Sequence, residues 1–504
     1  MQVTLSRNLI AGLVNSVWSA LIALAVVPFY IKYLGIEAYG LVGFYLTSQT
    51  LLQLLDMGMA STINREVARA GASGNMREAR SLLHSLSTIY WGIAILIAIL
   101  ILIFAPLIAN FWLQAKTLEP QTVSRSVMLI GVVLACRWPI GLYQGALIGA
   151  QRLAVSSMIN MMMVSFANLG AIFVLSYLSS TIQAFFIWQA CVGFVYAITM
   201  HVTTWHIIGR EGSLNFEVAC IRRVLKFSLG VGSISVCGLL LGQVDKIILS
   251  STVSLDDFGK YMMANMVASS LYIIVIPVFN TIYPRFSSLV AQGKMNELKY
   301  RYRQATQWIS IVLFPAAMIL SLLAKPLIET WAGDTSIASD VAPLASILFW
   351  AYALHGIMHV PYALMLSRGE TAPMLKIYGA LIAIIAPVTF LISVYFGVLG
   401  GALAQFLLFI SYMFIGIWVT HRRCYTGYAS VWLTKDVGVF LAVSLSVGSC
   451  GIFIMQMLSD QIYVLLPVGG GIWFLALLLS ICSSKNARAD CIRYWNRIFL
   501  SGES

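Results

Sequence analysis

The chain has 504 residues, of which 60% are hydrophobic and only 10% charged, and its mean hydropathy is +0.88. Soluble domains carry about 25% charged residues, so this composition excludes an ordinary soluble enzyme or binding domain. A net charge of +12 would point to nucleic acid in a soluble protein; here the position of the cations matters more than their sum, and no nucleic-acid partner is expected.

A helix that crosses a bilayer needs about 20 apolar residues. In chain order such runs lie near 8–31, 41–63, 85–109, 126–148, 154–177, 182–207, 227–250, 261–283, 306–328, 342–366, 375–396, 399–419, 437–457 and 462–482. They predict an all-α integral membrane protein with about 14 transmembrane helices. The opening stretch MQVTLSRNLIAGLV has one Arg and no small-residue cleavage site, so the first run is expected to be a retained span. None of the eight cysteines forms a CxxC pair or a metal-ligand spacing, and no disulfide framework is expected.

The connections are short and hold the charges. Of 31 Lys and Arg residues, 24 fall on one side of this scheme and five on the other, with Arg137 and Lys246 inside spans. Positive residues mark the cytoplasmic side, so both termini are expected there. An ATP-driven pump would need a G-x-x-x-x-G-K-[ST] loop, which is absent. A large outer loop with catalytic residues is also missing, and no paired carboxylates or nucleophile arrangement stands out, so no enzyme is expected. A secondary transporter, a channel or a scaffold remains.

The chain also repeats itself at an offset near 219. GNMREAR (74–80) aligns with GKMNELK (293–299), and Tyr39-Gly40 aligns with Phe258-Gly259. Pro106-Leu107-Ile108 with Trp112 matches Pro326-Leu327-Ile328 with Trp331. Each copy holds six spans, an even number, so the copies enter the membrane in parallel. The expected organisation is a six-helix lobe at 1–210, a second at 220–420, an extra helical pair at 430–482 and a cytoplasmic tail at 483–504. Rocking of two such lobes is a common basis of alternating access.

VPFYIKYLGIEAYGLVGFYLTSQTLLQLLDMGMASTINREVARAG holds Y-L-G-x-x-x-Y-G (Tyr33 to Gly40), L-L-D-M-G (Leu54 to Gly58) and Arg65. With GQVDKIILSSTVSLDDFGKYMMANMVASS (Gly242 to Ser270) and YPRFSSL (Tyr283 to Leu289), it resembles the polysaccharide and O-antigen (Wzx-type) flippase family. That family lies within the superfamily of multidrug, oligosaccharidyl-lipid and polysaccharide exporters. The resemblance covers about the first 290 residues well and the remainder by topology. It implies a two-lobe, 14-helix fold in the bacterial inner membrane, working by alternating access without a cofactor. The implied cargo is an undecaprenyl-pyrophosphate-linked oligosaccharide, such as an O-antigen unit of lipopolysaccharide, carried from the cytoplasmic to the periplasmic leaflet. Membrane lipids, a polysaccharide polymerase and chain-length machinery are the implied partners.

An ionisable side chain at mid-bilayer costs about 2.5–3.5 kcal/mol on insertion scales, so each needs a reason. Arg137, central in its run, is a candidate cavity residue able to hold a pyrophosphate through paired hydrogen bonds. Its plainer reading is snorkelling, for which a central position is poorly suited. His355 and His359 share a helix face, and the repeat offset places His355 beside Arg137, so the two lobes are expected to present ionisable groups at corresponding depth. They are candidates for sugar hydrogen bonding or proton relay, with simple packing as the alternative. HGIMH lacks a third ligand, so no metal is expected. Asp245 and Lys246 are candidate outer-gate or ion-coupling groups; as helix neighbours about 100° apart they are expected to contact other helices rather than each other. Asp56 is expected to bridge to a basic residue, as a structural salt bridge or an inner gate. Arg65 and Arg285 are expected at the cytoplasmic mouth, where positive charge needs no further function. The rivals are a multidrug exporter, a flippase of the peptidoglycan lipid precursor and a polymer-assembly scaffold; the basic mid-membrane charge disfavours export of cationic drugs.

Overall fold

The computed structural model describes residues 2–56, 58–73, 76–209, 236–458 and 462–500. The start of the run expected at 227–250 lies outside these residues, as do Arg210, Arg222, Arg223, Lys226, the boundary expected near 210–220 and Gly74 at the head of the repeat. Among the described residues every named element is helical, and the only β pairing is one isolated bridge between Gln114 and Ser254. Among the described residues eleven helical stretches are long and apolar enough to cross a membrane. Their outward faces carry bulky apolar side chains such as Ile103, Phe166, Phe173, Phe390 and Phe453, the reverse of a water-facing surface.

The chain forms two units, Met1–Met262 and Met263–Ser504. The first contains α1 (Gln2–Leu34), α2 (Ile36–Leu52), α3 (Met59–Ser73), α4 (Arg77–Leu107), α5 (Pro120–Arg137), α6 (Ile140–Gly149), α7 (Leu153–Phe173), α8 (Ile182–Ile208) and α9 (Val244–Thr252). The helix α10 (Leu255–Ser269) begins in the first unit and ends in the second. The second continues with α11 (Tyr272–Ala291), α12 (Met295–Leu322), α13 (Ala324–Ala332), α14 (Thr335–Ile357), α15 (His359–Ser367) and α16 (Thr371–Cys424). It closes with α17 (Val439–Gln456), α18 (Ile462–Ser483) and α19 (Lys485–Leu500).

Helix ends recur at the offset read from the sequence. Arg77 and Met295 open equivalent helices, as do Ile140 and His359, and this second pair closes at the equivalent Gly149 and Ser367. The 54 residues of α16 would measure about 80 Å as one straight helix, more than twice a hydrocarbon core. Gly397, with φ 57° and ψ −136°, turns the chain there, so the two runs expected at 375–396 and 399–419 are joined end to end. The run expected at 41–63 is likewise broken: α2 ends at Leu52, a tight turn covers Gln53–Asp56, and α3 starts after Gly58 at φ 82°.

Within the first unit α1 packs on α7, and α5 packs on both α4 and α8. Its core gathers Ile63, Leu83, Leu86, Tyr90, Trp138, Tyr143 and Met200. The start of α2 meets α10 at two glycines. A Cβ on Gly40 would lie 2.3 Å from the Leu255 carbonyl oxygen, and one on Gly259 would lie 2.3 Å from the Ile36 carbonyl oxygen. Gly40 and Gly259 are repeat equivalents, so the contact is reciprocal, and only hydrogen fits on either side. Small residues at such crossings let membrane helices approach closely.

In the second unit α12 is the hub, touching α11, α14, α17, α18 and α19. The fully buried carboxylate of Asp436 accepts from Arg303 Nε at 2.8 Å, from Gln307 Nε2 at 2.6 Å and from the Tyr428 hydroxyl. Ser484 donates to the other end of the Gln307 amide at 3.0 Å, so the helices following 430 are tied to α12 by polar bonds as well as apolar packing.

Candidate functional site

Two membrane helices break at matching positions. The span Pro120–Gly149 divides into α5 and α6 at Trp138-Pro139, because proline supplies no N–H for the helical ladder. The span Thr335–Ser367 divides into α14 and α15 at Met358, with Pro361 in the next turn. Arg137 is the last residue of α5, and His355 lies two residues before the end of α14. Each stands 12 residues before the end of its span, Gly149 and Ser367 respectively, or about 18 Å along a helix. Broken helices inside a membrane are tolerated where they are buried in protein or line a cavity.

Arg137 is half-buried in the first unit. Its Nη2 donates to Gln189 Oε1 at 2.6 Å, and Gln189 in turn donates to the Ala167 carbonyl at 3.2 Å. The guanidinium carbon lies 5.7 Å from the centre of the Tyr45 ring. Gly193 leaves room for the Arg137 stem, since a Cβ there would already touch its Cγ at 3.4 Å. The Arg137 Nε and the Tyr45 hydroxyl are buried without hydrogen-bond partners. Among the described residues no carboxylate pairs with Arg137, so the cation is held by neutral groups and its charge remains uncompensated.

A polar network lies beside it. Gln144 donates to the Tyr196 hydroxyl at 3.0 Å, and Tyr196 donates to Asn160 at 2.8 Å. The Tyr143 hydroxyl joins Ser87 at 2.7 Å, His201 Nδ1 at 2.8 Å and Trp91 Nε1 at 3.1 Å. Sequence reading missed Gln189, Tyr45, Gln144 and Asn160. They are neutral residues inside apolar runs, and no spacing marks them.

Asp56 differs from expectation. Its carboxylate accepts from the backbone N–H of Gly58 at 3.2 Å and of Ala60 at 3.2 Å, and from the Tyr90 hydroxyl. Among the described residues no basic side chain is bound to it. The break after Leu52 makes it the capping group of α3, and the expected bridge to a basic residue is not formed among the described residues. Tyr90 in turn stacks on Trp138 at 5.4 Å, next to Arg137.

Asp245 and Lys246 also differ. Both are buried, and Lys246 Nζ lies 3.1 Å from the Asp245 carboxylate and 3.0 Å from the Gly242 carbonyl, while Tyr261 donates to the same carboxylate. They therefore pair with each other. The Lys stem is long enough to fold back over the first turn of α9 despite the angle between the two Cβ directions. Removing one partner of a buried pair leaves a bare charge and costs about 3–5 kcal/mol. Asp245→Leu is accordingly expected to lower thermal stability strongly, and Asp245→Leu with Lys246→Met to restore most of it; melting curves of the three proteins in one detergent check this.

Arg65 pairs with Glu66 at 2.7 Å and Arg285 with Glu297 at 2.9 Å, both at exposed positions. In the second unit His355 Nδ1 bonds the Tyr272 hydroxyl at 2.5 Å, and the His355 and His359 rings lie 5.1 Å apart. Among the described residues no group of three His, Cys, Asp or Glu side chains gathers as a metal site.

With this geometry in hand, the model of a family described as "Polysaccharide biosynthesis protein" matches residues 5–290. The chain belongs to that family. Its fold is similar to that of the lipid II flippase MurJ in an inward closed conformation, with a TM-score of 0.67 at 14% identity, covering 93% of this chain and 98% of that one. An inward-facing multidrug-resistance MATE transporter of the MOP superfamily gives 0.66 at 11% identity, with 81% and 96% covered. A MOP-superfamily transporter from Pyrococcus furiosus, described by the reverse polarity of its binding pocket, gives 0.58 at 13% identity, with 85% and 96% covered. No curated protein matches the chain by sequence. The family is one of polysaccharide biosynthesis and the fold is that of transporters and flippases; the chain is a multi-pass membrane protein.

Proposed function

We propose that this protein is a flippase for a polyprenyl-diphosphate-linked oligosaccharide, such as an O-antigen or other surface-polysaccharide unit. It carries the lipid from the cytoplasmic to the periplasmic leaflet of a bacterial inner membrane by alternating access. The observation that supports this most is Arg137, a guanidinium at a helix break inside an apolar span, with a free Nε and no carboxylate on it among the described residues. A diphosphate fits such a group, because a guanidinium binds phosphate oxygens through parallel charge-assisted hydrogen bonds. A cationic drug does not, which disfavours multidrug export.

The same proposal has about 14 crossings with both termini cytoplasmic, six-helix lobes at 1–210 and 220–420, a helical pair at 430–482 and a tail at 483–504. Arg65 and Arg285 serve as attractors at the cytoplasmic mouth, and the Asp245–Lys246 pair and Asp56 as gate elements. With the inside negative, carrying two negative charges outward gains about 4–5 kcal/mol per 100 mV. A polymerase and chain-length machinery take over the product.

The test is translocation in proteoliposomes. A polyprenyl-diphosphate-linked oligosaccharide, the peptidoglycan lipid precursor and a cationic dye are offered to the wild-type protein. Movement of the first alone supports the proposal. Preference for the second makes the protein a precursor flippase, and export of the dye a drug transporter. Movement of none by correctly inserted protein favours an assembly scaffold.

A further inference from the structure

The second unit carries no counterpart of Arg137. At the equivalent helix break it presents rings. On α11, Tyr272, Phe279 and Tyr283 stand seven and four residues apart and so share one face. Phe279 stacks on Tyr283 at 5.8 Å with planes 5° apart, and on Tyr362 at 5.7 Å and 22°. His359 meets the edge of Phe279 at 6.0 Å and lies 5.8 Å from Tyr272. His355 continues the series, 5.9 Å from Tyr272 and stacked on Phe409 at 4.3 Å. Aromatic rings thus run without interruption from the helix break at Met358 to Tyr283, which is 36% exposed.

Two further properties separate this ladder from ordinary core packing. Tyr272, Phe279, Tyr283, His355, His359 and Tyr362 all keep part of their surface accessible. The hydroxyls of Tyr283 and Tyr362 and the Nε2 atoms of both histidines make no hydrogen bond among the described residues, and none of them is a sealed, unsatisfied atom. No ion pair among the described residues includes either imidazole. The ladder therefore offers ring faces, hydroxyls and imidazole nitrogens, and no carboxylate, ammonium or guanidinium.

This chemistry matches a neutral sugar. The C–H groups on one face of a pyranose carry partial positive charge and sit on the negative face of an aromatic ring, while its hydroxyls take donors and acceptors at the rim. We infer that the Tyr272–Phe279–Tyr283 face of α11, with His355, His359 and Tyr362, is a glycan-binding track that recognises the neutral sugars of the substrate. This rests on the flippase reading and adds to it the place in the second unit where the sugars are recognised.

The test is equilibrium binding by the purified full chain in detergent to two probes, farnesyl diphosphate and the same diphosphate bearing a neutral trisaccharide. Wild type is expected to bind the glycosylated probe about tenfold or more tightly. In the Phe279→Leu, Tyr283→Leu double variant this preference falls towards one while affinity for farnesyl diphosphate is unchanged. Phe279→Tyr, which keeps the ring, retains the preference and controls for folding. Arg137→Gln weakens both probes by the same factor and leaves their ratio intact. A full preference in the double variant, or no preference in wild type, overturns the glycan track. Either result leaves the flippase reading to the translocation assay, which can succeed independently.

Discussion

Arg137→Leu is expected to reduce translocation of a diphosphate-linked oligosaccharide at least a hundredfold without weakening the fold. A hydrogen bond to a charged group contributes about 1.5–3 kcal/mol, and a guanidinium can place two on one diphosphate. Losing both exceeds the 2.7 kcal/mol or so that a hundredfold change requires. Stability moves the other way. The substitution removes a charge from an apolar span, which costs about 2.5–3.5 kcal/mol to insert at a span centre, and it forfeits one charge-assisted hydrogen bond to Gln189 worth about 1.5–3 kcal/mol. The Gln189 amide nitrogen stays bonded to the Ala167 carbonyl. The melting temperature of Arg137→Leu should therefore equal or exceed that of wild type while transport collapses. Arg137→Lys keeps the charge and loses the planar fork, so it should fall between the two, about tenfold down. Parallel melting curves and proteoliposome assays check all three proteins. Loss of stability and transport together would assign Arg137 to packing instead.

The place of this residue within an apolar run was legible in the sequence, whereas its surroundings were not. A single Arg in the middle of such a run announces itself, and the repeat sets His355 at the equivalent position of the second copy. The groups that hold Arg137, namely Gln189, Tyr45 and Gly193, come from helices far along the chain. They look like any other residues of an apolar span.

Two expectations differ from what the described residues show, and for local reasons. Asp56 was read on a continuous helix, but the chain breaks after Leu52 and turns the carboxylate onto backbone N–H groups. Asp245 and Lys246 were separated by helix geometry at Cβ, but four methylene groups carry the Lys nitrogen back to its neighbour. The ring ladder was hidden for a different reason. Aromatic residues seven and four apart on a membrane helix have the same pattern whether they face lipid or one another, and only the placement of α15 beside α11 distinguishes the two.

Gly40 and Gly259 bring the repeat and the packing together. The sequence aligns them, but an offset alone does not say that two copies touch. In the structure each glycine faces a backbone carbonyl of the other's helix, Leu255 for Gly40 and Ile36 for Gly259, at a distance no Cβ can occupy. A carbonyl in a helix cannot rotate aside as a flexible side chain can, so α2 and α10 must separate as a whole. Gly40→Ala or Gly259→Ala is therefore expected to cost about 2–3 kcal/mol, towards the upper end of the usual overpacking range. The two changes should not add. One separation of the helices by about an ångström admits both methyl groups, so the double variant should cost little more than either single one, with a coupling energy of about 2 kcal/mol. Denaturation of the four proteins of this cycle in one detergent measures it. Simple additivity would mean that each glycine acts through its own surroundings and that the reciprocal contact does not govern stability. Strong coupling would give the aligned glycines of the repeat a common purpose, the close crossing of two helices that no larger residue permits.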